Sequence, residues 1–75
     1  MLYVTEKGKE AASKLDPTDF SNRSVEEYII WNVNNHQGRL TSDSTLFNYG
    51  SKPFASELHR LTIDYLIEEG FLEDR

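Results

Sequence analysis

Apolar positions along this chain change their spacing from one segment to the next, and the spacing outlines the elements. Leu2, Tyr3, Val4 and Thr5 form a β-friendly run that predicts a short strand. Thr5 is then placed to N-cap a helix whose first turn holds Glu6, where a negative charge is favourable. Gly8, Ala11, Ala12 and Leu15 share one side of that helix, a small-residue face that allows another helix to approach closely. Asp16-Pro17 ends it, because the residue before proline is pushed out of the α region. The polar connection 16–23 follows, with Phe20 as its expected anchor to the core.

Ser24-Val25-Glu26-Glu27 is a capping-box pattern and sets the start of a second helix. Val25, Tyr28, Ile29, Ile30 and Val33 cluster on one face, and Trp31 falls outside that stripe. Gly38 is a natural C-terminal residue after the polar run "NNHQ". Between 39 and 52 the pattern is less regular. Thr41 is placed to cap a short helix carrying Leu46 and Phe47, and Tyr49-Gly50 reads as a turn.

Ser51 is expected to cap a third helix, with Pro53 near the first helical position that proline favours. This helix runs to about Glu69 and stops at Gly70, and "FLED" after it reads as a strand. Phe54, Leu58, Leu61, Tyr65 and Leu66 form its main apolar stripe, and Glu57, Asp64 and Glu68 an acidic one. Ile63 and Ile67 make a second, smaller ridge, with Ser56, His59 and Arg60 nearby. The expected core is therefore Val25, Ile29, Val33, Phe54, Leu58, Leu61 and Tyr65.

Composition narrows the class. Seventy-five residues predict one domain spanning 1–75, of a size that buries only roughly 60% of its unfolded surface. Hydrophobic residues are 37%, enough for one packed core and too many for a disordered chain. Cysteine is absent, which excludes disulfides and thiolate metal sites. The formal net charge of −5 means that any basic footprint for nucleic acid must be local. No run is long and apolar enough for a membrane span and no signal-peptide pattern opens the chain, so the expectation is a soluble, cytoplasmic protein. On that expectation Asn22-Arg23-Ser24 matches a glycosylation acceptor by chance.

Two stretches resemble the winged-helix family of transcription regulators, a helix-turn-helix class. "ELHRLTIDYLIEEGFLEDR" resembles a recognition helix that ends in glycine and enters the first wing strand, and "LYVTEKGKEAASKL" resembles the second wing strand and the helix after it. Between Ser24 and Gly50 the order of helix, break, short helix and turn also fits. The order departs from the family in one way: the second wing strand comes first and no wing tip joins it to the other. Residues 2–5 pairing with 71–74 would rebuild the ribbon from the two ends, as in a circular permutation. The expected fold is thus a mainly helical α+β domain, winged-helix-like, with three principal helices and a short two-stranded sheet from the N- and C-terminal strands.

The resemblance implies regulation through double-stranded DNA, with Lys52, Ser56, His59 and Arg60 as readers near the start of the third helix. The residues themselves also allow an ordinary solvated face, since Glu57 and Asp64 are spaced to pair with Arg60. The alternative function is an acidic protein-protein interaction module, or a homodimer, using Trp31, Ile63 and Ile67. Its partner would offer a basic surface, which includes a DNA-binding face of another protein. Catalysis is not expected. His36 and His59 lie on different helices, and adjacent acids such as Glu26-Glu27 point apart. "GSK" at 50–52 lacks the glycine-rich run of a phosphate loop, and a domain this small has little room for a substrate pocket. No metal, cofactor or small-molecule substrate is implied.

Overall fold

The computed structural model describes residues 1–75 except 17, 20–22, 45–47, 50–51 and 54–55, and for 48, 49, 52, 53 and 56 the backbone alone. Among the described residues the elements run β1 (Leu2–Val4), α1 (Glu6–Ser13), α2 (Val25–Asn35), β2 (Asn48–Tyr49), β3 (Lys52–Pro53), α3 (Ser56–Glu68) and β4 (Leu72–Asp74).

The two ends close on each other as the sequence predicts. β1 and β4 pair antiparallel, with Leu2 opposite Asp74, Tyr3 opposite Glu73 and Val4 opposite Leu72. The other edge of β1 is also occupied. Leu2 donates its N–H to the Leu40 carbonyl at 2.8 Å and accepts from Gly38 N–H at 3.1 Å. The chain leaving α2 therefore lies along β1, and Gly38 makes the bend with φ of 74°. A backbone bonded on both sides leaves few of its polar groups unsatisfied inside the molecule. That lets Leu2 and Val4 sit fully in the core.

The helix termini follow their capping residues. Thr5 Oγ1 accepts from Gly8 N–H at 3.1 Å and starts α1. Ser24 and Glu27 close a reciprocal box at 3.1 and 3.2 Å and start α2. α3 ends in a turn with Gly70 at φ of 86°, Gly70 N–H on the Ile67 carbonyl and Phe71 N–H on the Leu66 carbonyl. This double closure is the Schellman arrangement, which a glycine in the left-handed region permits. Between α1 and α2, Asp16 Oδ1 accepts from the Thr18 hydroxyl at 2.7 Å and the Thr18 N–H at 2.9 Å. Those two bonds hold the Asp16 carboxyl below its ordinary pKa.

The core lies between the helices and the β1–β4 ribbon. Among the described residues it holds Leu2, Val4, Ala12, Ile29, Ile30, Val33, Leu40, Ile63, Leu66 and Leu72, with Ala11, Val25, Ile67 and Phe71 packed at its margin. Ile29 and Val33 are buried as expected and Val25 is half-buried.

α3 corrects two expectations, and α1 a third. It begins at Ser56 rather than just after Ser51, because Lys52-Pro53 pairs as a strand with Asn48-Tyr49. A proline has no N–H for a ladder and fits such an edge position. Its buried face is centred on the Ile63 side, and Leu66 alone of the described main-stripe residues belongs to it. Leu58, Leu61 and Tyr65 stand 49, 55 and 51% exposed, whereas Ile63 and Leu66 are at 0 and 1%. The Gly70 turn sets this phase: it sends Phe71 and Leu72 back along the Ile63–Leu66 side, where β4 and α2 receive it. Finally, Gly8 does not serve a helix contact alone, since the chain packed on its bare Cα is the Phe71 carbonyl. Phe20, Leu46, Phe47 and Phe54 lie outside the described residues; of the turn expected at Tyr49-Gly50, Tyr49 belongs to β2 and Gly50 lies outside them.

Candidate functional site

At about 100° per residue, the surface of α3 divides into three bands. His59, Thr62, Ile63 and Leu66 form the buried band, with Ile67 half-buried at its edge. Asp64, Glu57 and Glu68 follow one another on the solvent side, with Arg60 between them and the buried band. Leu61, Tyr65 and Leu58 then form an exposed apolar ridge, and Glu69 flanks its far side. Two turns of helix thus present three large apolar side chains to water with carboxylates on both flanks.

Of the expected DNA readers, His59 and Arg60 have described side chains, and they lie about 100° apart on α3, one buried and one exposed. His59 is 5% exposed and is a core residue, so it is corrected from reader to packing residue. Burial holds its pKa below the ordinary histidine value, an effect the negative charge of Asp43 partly opposes. Lys52 belongs to β3 and not to the helix. The side chains of Lys52 and Ser56 lie outside the described set. Arg60 is exposed, and its nearest helical neighbours in charge are Glu57 and Asp64. The ion pairs among the described residues lie elsewhere, at Lys9–Glu6, Lys14–Glu10, Arg75–Glu73 and the Met1 amine with Asp74.

Of the expected interaction residues, the two isoleucines are corrected. Ile63 is fully buried and Ile67 half-buried, because they, and not Leu58 and Leu61, face the core. Trp31 is half-buried, and the Arg23 guanidinium lies 5.0 Å from its ring. Arg23 is itself buried and donates to the Asp16 carbonyl, so one guanidinium bonds the segment that follows α1 and lies over Trp31 of α2. The residues that do form an exposed apolar surface, Leu58, Leu61 and Tyr65, are ones whose spacing predicts core. Spacing identifies them as one stripe and carries no information on which side of it the core lies.

Among the described residues no group of three or more His, Cys, Asp or Glu side chains is arranged to hold a metal ion. No helix among them is long and apolar enough to cross a membrane. No protein-family model, no curated protein and no solved structure matches this chain.

Proposed function

We propose that this chain is a small regulatory domain that acts by binding another protein through the outer face of α3. The observation that carries the reading is the ridge of Leu58, Leu61 and Tyr65, each about half exposed; among the described residues the only other large hydrophobic so exposed is the terminal Met1. An apolar ridge of this kind, rimmed by charge, is what a partner covers. An aromatic beside two leucines is a good anchor set for an interface. The winged-helix resemblance remains the basis for a regulatory role. The DNA contact it implies has little support, since His59 is buried and Arg60 stands among carboxylates.

The reading is tested on the chain by two measurements. An amide-shift titration with mixed-sequence duplex DNA at low salt is expected to leave α3 unmoved. Replacing Leu58 and Leu61 together by serine is expected to leave the melting midpoint nearly in place, as surface changes do. Salt-sensitive shifts at Arg60 with DNA, or a loss of stability of the size expected for core residues, would defeat it.

A further inference from the structure

We infer that the partner of this face is an amphipathic helix whose apolar stripe is bordered by lysine or arginine. The inference rests on the protein-binding reading above and adds the partner's chemistry. Three observations lead to it. The first is shape. Leu58, Leu61 and Tyr65 follow one another at spacings of three and four, so they form a straight ridge on a regular helix. A ridge of that kind packs into the groove of another helix, with its own side chains spaced in the same way. From Leu58 to Tyr65 it runs about 10 Å, or two turns, so a short helix is enough to cover it.

The second observation is charge. Glu57, Asp64 and Glu68 are exposed along one flank of the ridge and Glu69 lies on the other, with Arg60 set behind the acids and away from the ridge. The ion pairs elsewhere in the described molecule do not engage these carboxylates. A partner whose basic side chains fall alongside its apolar stripe meets them at the rim, where charge steers association and discriminates between partners.

The third observation weighs against the simplest competitor, a second copy of this chain. Two α3 helices packed ridge to ridge in an antiparallel two-fold arrangement would set Glu57 of one copy near Asp64 of the other. The whole chains, each of formal net charge −5, would repel as well. Like charges placed opposite each other select against self-pairing. Duplex DNA is disfavoured by the same carboxylates.

The test uses the intact chain and two designed helical peptides of about 15 residues. Both carry leucines at helical spacing; one has lysines beside the stripe and the other glutamates. The lysine peptide is expected to bind at least about tenfold more tightly at low salt, with the gap narrowing as salt screens the rim. Binding is expected to vanish in a Leu58→Ser, Leu61→Ser variant. In a Glu57→Lys, Asp64→Lys, Glu68→Lys variant the preference is expected to reverse towards the glutamate peptide. Far-UV circular dichroism and thermal melts confirm that both variants fold. Equal binding of the two peptides through the ridge would overturn the basic partner and leave the protein-binding reading standing. Lysine-peptide binding that survives loss of the two leucines, or no binding of either peptide, would overturn both. Self-association abolished by Leu58→Ser, Leu61→Ser would make a second copy the occupant, and DNA-induced shifts on the ridge would make it a nucleic-acid face. Each of those would overturn the inference.

Discussion

Gly8 lies directly against the carbonyl of Phe71: a Cβ at position 8 would stand 2.1 Å from that oxygen and 3.1 Å from the Val4 Cβ. The first turn of α1 and the turn that ends α3 are therefore in backbone contact, and the contact needs the missing side chain. Alanine normally improves a helix interior by up to about 1 kcal/mol relative to glycine. Here it must displace a backbone carbonyl that the β1–β4 pairing holds in place, since Thr5 N–H donates to that same oxygen at 3.1 Å. Gly8→Ala is expected to destabilise the domain by roughly 1–3 kcal/mol, in the range of overpacked cores. Urea unfolding measures it, and a gain in stability would show that α1 is free to move away.

Thr5 makes the same junction from the other side. Its hydroxyl oxygen accepts from Gly8 N–H at the start of α1 and its hydroxyl proton goes to the Gly70 carbonyl at the end of α3. One side chain thus caps two helices, and Lys7 adds a bond of 2.8 Å to the Glu69 carbonyl. Thr5→Val keeps the shape and removes both bonds. It is expected to cost about 1–2 kcal/mol, while Thr5→Ser should retain most of the stability. Equal melting midpoints for the two variants would argue against a shared cap.

His59 predicts a pH dependence of stability. Burial holds its folded pKa below the ordinary value of 6.5, with Asp43 pulling weakly the other way. The unfolded chain therefore takes up the proton first as pH falls. Above the unfolded value His59 is neutral in both states and has no effect. Below about pH 6.5 stability is expected to decline, continuing until the folded pKa is passed. Equilibrium unfolding between pH 7.5 and roughly pH 5 checks this, and His59→Gln should flatten the slope. A slope that persists unchanged in that variant would assign it to other groups.

The parts of the fold that sequence reveals are those set by local chemistry. Thr5, the Ser24–Glu27 box and Gly70 each satisfy backbone groups within a few residues of themselves, so their roles are visible in the chain. The pairing of the two ends was legible because each strand abuts one of these boundaries. The two-residue strands at Asn48 and Lys52 are too short to show any alternation. The phase of α3 was hidden for a different reason. Leu66 lies about 60° from Ile63 and about 80° from Leu58 around the helix, so it fits either apolar side. Counting it with Leu58, Leu61 and Tyr65 favoured the wrong one. The deciding fact is the direction in which the chain returns after Gly70, a tertiary event that periodicity does not encode. The candidate site inherits this: its residues were recognised as apolar and acidic stripes, and their exposure was not.

The two faces of α3 separate in one paired experiment. Ile63 is fully buried among residues of the core, so Ile63→Ala removes packed methylenes and leaves a cavity. That is expected to cost about 2–5 kcal/mol. Leu61 is 55% exposed one helical position beyond the acidic band. Leu61→Ala removes few contacts and places the best helix former in the helix, so its effect should stay within about 0.5 kcal/mol. The contrast carries more weight than either value, because both substitutions fall on the same helix and share its propensity and its unfolded state. If Leu61→Ala proves the costlier of the two, α3 is turned the other way and the ridge of Leu58, Leu61 and Tyr65 is core. In that case Ile63 and Ile67 become the exposed pair, and the partner sought for this domain must fit them instead. If Ile63→Ala is the costlier, the conservation of stability in Leu61→Ala means that the exposed leucine does nothing for the isolated fold. Its reason for being apolar then lies outside the chain, in whatever covers the ridge.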